Sequence, residues 1–100
     1  MFFFRLELAN RVLTLLNTLT NEIIELEIRL LSQTSLIDDE NHIHRQFTDL
    51  HNHIQTLEKS MVELLTLSKQ LNNDRLIRIS EQLATRWKHI TNEISQRLIH

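Results

Sequence analysis

Four of the six histidines lie close together in the sequence, and histidine is the side chain here best suited to metal binding. They form two His-x-His pairs, His42 with His44 and His51 with His53. Residues two apart on a helix point in different directions, so neither pair can chelate a metal ion alone. His44 and His51 share a face, but a zinc site needs further ligands. We therefore expect partly exposed histidines beside an apolar stripe and no metal site, with a pH-sensitive contact as the alternative.

The remaining composition argues against catalysis. The sequence has no glycine, so a glycine-rich phosphate loop cannot form, and no cysteine, so disulfides and thiolate metal sites are excluded. No serine or threonine has the sequence context of a nucleophile elbow. Glu22, Glu25 and Glu27 lie close together without any sign of general acid–base work. The prediction is a protein that is not an enzyme, with no catalytic residue and no cofactor.

Basic side chains that could recognise an acidic partner lie near the end of the chain. Arg75, Arg78, Arg86 and Lys88 predict a basic face on one helix. Residues 1–50 carry four basic and eight acidic side chains, so pairing of this face with an acidic first helix is the default. The sharper alternative is a contact with an acidic actin surface or, weakly, with anionic lipid. A net charge of −2 does not favour nucleic acid.

The elements that must position these side chains are long helices. Neither glycine nor proline is present to interrupt them. The first helix shows apolar residues at alternating steps of three and four, the spacing of a coiled coil, at Ala9, Val12, Leu16, Leu19, Ile23, Leu26 and Leu30. Leu13, Ile24 and Leu31 widen this stripe, so we expect two neighbouring helices. The phenylalanines at 2–4 are expected to precede or open this helix.

Two turn signals divide the chain. Residues 33–37 and the acids that follow predict a loop and a new helix from about Asp38, and Asn72 and Asn73 predict a second turn, because asparagine tolerates the left-handed conformation. Short loops make consecutive helices antiparallel neighbours. The sequence thus predicts an all-α fold, an elongated antiparallel three-helix bundle with left-handed coiled-coil winding. The helices cover about 5–33, 38–72 and 75–99.

Ser68 interrupts the apolar stripe of the middle helix, where the register requires an apolar residue. We expect either that its hydroxyl bonds back to the carbonyl of Leu64 or that packing is loose there. In both cases Ser68→Leu would stabilise the fold by about 1 kcal/mol through apolar burial.

Trp87 is the only tryptophan and lies on the stripe of the last helix, between Leu83 and Ile90. A tryptophan can bury on the order of 200 Å², so burial as a core anchor is the main reading and an exposed hot spot for a partner is the alternative. The apolar contact between the helices (the seam) is expected to include Leu16 and Leu57 beside Trp87. Arg86 and Arg97 should cover the seam with their stems while their charges reach water or an acid on a neighbouring helix.

The segment LATRWKHITNEISQRL resembles the last helix of a spectrin repeat, with a leucine, an Arg-Trp pair, an aliphatic residue three later and an arginine ten after the tryptophan. The segment DDENHIHRQFTDLHNHIQTLEKSMVELLTLSKQL is similar to the long middle helix of that family. The resemblance covers nearly the whole chain and implies one repeat over residues 1–100, of the spectrin, dystrophin, nesprin and plakin group. The chain departs from many repeats in lacking a tryptophan midway along its first helix.

The resemblance implies a cytoplasmic structural rod and interaction module of a cytoskeletal or membrane-skeleton protein. Such repeats set distance, carry tension and display docking surfaces, with actin, adjacent repeats or other proteins as partners. Two alternatives remain. One is a free-standing coiled-coil adaptor that recruits a partner helix, and the other is a helical regulatory segment of a larger signalling protein.

Overall fold

A computed structural model describes residues 2–32 and 40–99, and these residues are helical except at Leu57, Asn72 and Asn73. The helices are α1 (Phe2–Ser32), α2 (Glu40–Thr56), α3 (Glu58–Leu71) and α4 (Asp74–Ile99). Because α2 and α3 follow one another through a single residue, the four helices make three arms. The all-α prediction is confirmed. The loop expected near 33–37 and the helix start expected at Asp38 lie outside the described residues.

The arms lie side by side and form an elongated body of 57 × 18 × 16 Å. Contacts between α1 and the middle arm fall in opposite order along the two arms. The Arg5 guanidinium donates to the Leu71 carbonyl at 3.2 Å, near the start of α1 and the end of α3. Further along α1, Glu22 meets His53 of α2 at 2.7 Å. The start of α1 therefore lies beside the end of α3.

The last arm contacts the middle arm in the same reversed manner. Trp87 of α4 reaches Ile54 of α2. The guanidinium of Arg97 lies 5.3 Å from the centre of the Phe47 ring, close to the start of α2. The end of α4 therefore lies at the opposite end of the body from the start of α1.

The core is formed by large aliphatic side chains from all three arms. Its buried residues are Val12, Leu15, Leu19, Ile23, Leu26, Leu30, Phe47, Leu50, Ile54, Met61, Leu64, Leu83, Ala84, Ile90 and Ile94. The predicted stripe of α1 holds at most of its positions, although Leu15 is buried and its neighbour Leu16 is only partly buried.

One expectation about α1 was wrong. Leu13, Ile24 and Leu31 were expected to widen the buried stripe, but they are 51%, 41% and 71% exposed. The physical reason is angular. Both neighbouring arms pack on the same side of α1, and these three residues project well away from that side at 100° per residue.

The turn between α3 and α4 uses two asparagines in two different roles. Asn72 has φ 57° and ψ 41°, the left-handed conformation that ends a helix, and its N–H reaches the carbonyls of Ser68 and Lys69. The Oδ1 of Asn73 accepts a hydrogen bond from the Leu76 N–H at 3.1 Å, which caps the first turn of α4. A two-residue turn thus closes without glycine.

The middle arm is not the continuous helix that the sequence predicts, because it is interrupted at Leu57. The Leu57 N–H donates to the Ile54 carbonyl at 3.2 Å, a bond across three residues rather than four. Leu57 itself keeps helical dihedral angles, φ −85° and ψ −11°. The interruption is therefore a local tightening that divides α2 from α3.

The site of Ser68 resembles the first of the two expectations, because its hydroxyl bonds back to its own helix. Its side chain is completely buried, and its hydroxyl donates to the carbonyl of Leu65 at 3.0 Å, rather than to that of Leu64. The serine hydroxyl is therefore satisfied within its own helix. The expected gain from Ser68→Leu therefore no longer follows.

Candidate functional site

Trp87 is positioned by α4 so that its indole reaches across to the end of α2. The Nε1–H donates a hydrogen bond to the carbonyl oxygen of Ile54 at 3.1 Å, and the ring itself is half-buried against the core. Ile54 is also the carbonyl that accepts the Leu57 N–H at the interruption of the middle arm. Trp87 thus joins two arms by packing and by a polar contact at the same place.

The other residues predicted to anchor the seam divide into two groups. Leu83 and Ile90 of α4 are buried in the core. Leu16 of α1 and Leu57, between α2 and α3, are half-buried and pack against the edge of the core. All three arms therefore contribute to the apolar seam, and among these predicted anchors Leu83 and Ile90 are the most buried.

Arg86 joins α4 to α1 through Glu27. Its Nη2 donates to Glu27 Oε1 at 2.5 Å and its Nε donates to Oε2 at 3.2 Å, a two-point contact between guanidinium and carboxylate. Hydrogen bonding to Glu27 raises the pKa of Arg86, and the nearby negative charge acts in the same direction, while partial burial opposes both. The arginine keeps its charge and the pair holds the two arms in register.

Arg97 behaves differently from Arg86, although both flank the seam. Its guanidinium lies over the Phe47 ring of α2, and its Nη2 is 3.6 Å from Glu93 on its own helix. A cation over an aromatic face is attracted by the electron-rich ring. Arg97 therefore covers the end of the core near Phe47 rather than reaching an acid on another arm.

Three of the four residues of the predicted basic face lie on one side of α4, and Lys88 lies apart from them. Arg75, Arg78 and Lys88 are exposed, whereas Arg86 is held by Glu27. Arg86 and Lys88 are two residues apart and point to nearly opposite sides of α4. Arg75 lies eleven residues before Arg86, about 16 Å along the helix. At 100° per residue Arg75, Arg78 and Arg86 project within about 80° of one another, so three of the four basic residues share one side of α4 and Lys88 does not.

The histidines lie on the flanks of the middle arm. His44 is exposed, while His53 is half-buried and its Nε2 lies 2.7 Å from Glu22 of α1. The Nδ1 atom of His51 is buried without a hydrogen-bond partner among the described residues. Within residues 2–32 and 40–99, no three metal-ligating side chains come together. The arrangement supports a contact between arms at His53, and sequence spacing alone could not have identified Glu22 as its partner.

An open groove of about 400 Å³ lies between the ends of α1 and α4. Leu30 and Ile90 form its apolar base, and Glu27 and Glu93 contribute carboxylates at its edge. The exposed side chain of Leu31 also lines it. The groove therefore extends an apolar part of the α1 surface toward α4.

Comparison with known proteins gives no assignment, since no protein-family model, curated protein or solved structure matches the chain. In the part of the chain that the structure describes, no helix combines the length and the apolar character needed to cross a membrane.

Proposed function

We propose that this chain is a rod segment, an antiparallel three-helix bundle of the spectrin-repeat type within a cytoskeletal or membrane-skeleton protein. Its role is to set distance, to carry tension and to present docking surfaces to other proteins. The reversed order of contacts between neighbouring arms supports the antiparallel arrangement. The apolar spacing of three and four supports left-handed winding.

One observation carries the proposal most directly. The start of α1 lies beside Leu71, and the end of α4 lies beside Phe47, at the other end of a body 57 Å long. Tension applied through α1 and α4 would therefore act along the long axis. It would shear the seam, so that contacts along the whole seam share the load instead of breaking one at a time.

The cross-links between arms suit such a load. Trp87 holds α4 to α2 near the middle of the body, and Arg86 holds α4 to α1. Adjacent repeats of the same kind and other cytoskeletal proteins, actin among them, are the partners that this function implies. A lipid contact receives less support because Arg86 is paired with Glu27 and Lys88 lies on another side of α4. The absence of cysteine suits a reducing, cytoplasmic location.

A coiled-coil adaptor is the second candidate function, favoured by one specific observation. α1 exposes several large apolar side chains away from the core, among them Ile28 at 60% and Leu31 at 71%. A partner helix could pack there. One molecule could serve both functions. The rod function requires the seam between the arms to resist tension, whereas the adaptor function requires the exposed face of α1 to be accessible.

Force measurements on single molecules test the rod proposal. The chain contains no cysteine, so Glu7→Cys with Gln96→Cys provides two unique handles at opposite ends. We expect one cooperative unfolding step that releases on the order of 260 Å of chain. Glu7→Cys with Gln70→Cys is the matched control, because both handles lie at the same end and peel α1 from α3.

The comparison of the two geometries decides the question. The end-to-end pair should unfold at clearly higher force than the same-end pair, since it loads the whole seam at once. Equal forces, or stepwise extension of the end-to-end pair at low force, would show that the chain does not act as a tension-bearing unit.

A further inference from the structure

A second apolar stripe runs along α1 on the side turned away from the core. Its members are large side chains with substantial exposure, namely Leu6 (50%), Leu13 (51%), Ile24 (41%), Ile28 (60%) and Leu31 (71%). At 100° per residue they project within about 60° of one another, and they form a line about 38 Å long. A folded domain rarely aligns this many exposed large apolar side chains on one face of a helix.

The positions between these side chains are polar but carry no charge. Asn10, Asn17 and Asn21 lie on the same face of α1 and are exposed. The outer face of a surface helix normally carries charged side chains. Asparagines at interior positions of paired helices fix the register and the number of helices, at some cost in affinity. The composition of this face thus resembles a helix–helix contact more than a solvated surface.

The charges beside the stripe identify the occupant. Along one flank of α1 they read acidic at Glu7, basic at Arg11, acidic at Glu25 and basic at Arg29. Reversing the order of these four about residue 18 gives the opposite sign at each of them, whereas Glu22 on the same flank meets the uncharged Thr14. A second copy of α1 packed antiparallel therefore places Glu7 near Arg29 of the second copy and Arg11 near Glu25 of the second copy. A parallel two-fold pair would instead place this flank against the opposite flank of the second copy, where this complementary order is absent.

The same two-fold arrangement also matches the apolar residues. With its axis near residues 18 and 19, Leu13 faces Ile24 of the second copy and Leu6 faces Leu31 of the second copy. Within its own chain, Arg11 already bonds Glu63 of α3 at 2.7 Å, which holds its side chain on this flank. A self-complementary patch of this kind is what a two-fold symmetric contact requires.

We propose that α1 pairs antiparallel with α1 of a second copy of this chain through the stripe Leu6, Leu13, Ile24, Ile28 and Leu31. A contact 38 Å long and one helix wide buries roughly 800 Å² in total, which is less than stable interfaces bury and in the range of weak, transient ones. The dimer is therefore weak, with dissociation at roughly micromolar to millimolar concentration. This pairing does not depend on the proposed rod function, because each copy folds around its own core.

Sedimentation velocity of the full chain from about 10 µM to about 1 mM tests the pairing. We expect a monomer–dimer equilibrium, which Ile28→Glu and Leu13→Glu each weaken at least tenfold. Val62→Glu is the matched control, because Val62 is 57% exposed on α3, away from the stripe. Circular dichroism melts establish that each variant is folded, and the two stripe variants provide independent readings if one is destabilised.

Charge reversal tests the orientation. Glu7→Arg alone should weaken the dimer, and Glu7→Arg together with Arg29→Glu should restore it. Failure of the double variant to restore dimerisation would overturn the antiparallel arrangement. A wild-type chain that stays monomeric up to about 1 mM would overturn the second copy as occupant and leave the stripe to a helix of another protein. Equal loss of dimer in Val62→Glu would likewise reject the stripe as the interface.

Discussion

The indole N–H of Trp87 and the carbonyl oxygen of Ile54 are joined by a hydrogen bond of 3.1 Å. The same carbonyl accepts the Leu57 N–H where α2 gives way to α3. Tryptophan combines a large apolar ring with a hydrogen-bond donor, so one residue can both fill the seam and satisfy a carbonyl at an irregular point of the backbone. This dual contact accounts for the single indole of the chain.

Trp87→Ala should destabilise the fold by about 2–4 kcal/mol, somewhat below the usual range for a fully buried aromatic because the ring is half-buried. Trp87→Phe keeps most of the ring surface and loses the donor, so its cost should be nearer 1–2 kcal/mol. Urea melts followed by circular dichroism measure both. An unchanged midpoint for Trp87→Ala, together with red-shifted native fluorescence of the wild type, would show that Trp87 is a surface residue.

Ser68→Leu should destabilise by about 1–3 kcal/mol, because Ser68 is completely buried and the added atoms overpack the seam. Ser68→Ala is the matched control and should change stability by less than about 1 kcal/mol, since the Leu65 carbonyl loses only a supplementary donor. Thermal or urea melts compare the two. Stabilisation by Ser68→Leu would restore the view that packing is loose at this point.

The left-handed conformation of Asn72 predicts opposite effects for two substitutions at one position. Asn72→Gly should be neutral or mildly stabilising, because glycine adopts φ 57° without steric cost. Asn72→Val should destabilise by roughly 1–2 kcal/mol, since a β-branched residue is disfavoured there. Chemical denaturation measures both, and equal midpoints would mean that the turn has another conformation in solution.

Arg86→Gln and Glu27→Gln should each destabilise only slightly, and a double-mutant cycle should give a coupling of about 0.2–1 kcal/mol, typical of a solvent-exposed pair. Added salt should reduce this coupling. Because the Glu27 contact raises the pKa of Arg86, the arginine half of the pair is lost only in strong alkali as pH rises. A coupling near zero at low salt would mean that the pair is not formed.

The helices could be predicted from the sequence because their signal is local. Steps of three and four identified Val12, Leu19 and Ile23 as core residues, and all three are buried. The turn at Asn72 and Asn73 was also predictable, since asparagine is the best substitute for glycine where the chain must become left-handed. These features follow from the residues concerned and their immediate neighbours.

Structural features that depend on contacts between arms could not be predicted from the sequence. The interruption at Leu57 has no glycine or proline to mark it, and the hydrogen bond from Trp87 is made to a carbonyl on another arm. The exposure of Leu13, Ile24 and Leu31 depends on where the other arms pack. The separation of Arg86 from Lys88, in contrast, could have been found from their spacing of two residues.

The two-residue turn at Asn72 and Asn73 also sets the order in which the chain acquires its structure. It is the shortest connection between two arms, so the α3–α4 hairpin loses the least chain entropy on forming and should form first. The partner of Trp87 lies in α2, 33 residues away, and the partner of Arg86 lies 59 residues away in α1. Indole fluorescence therefore reports a later event than hairpin closure, and α1 joins a preformed template. In a refolding experiment, helical signal should precede the indole signal.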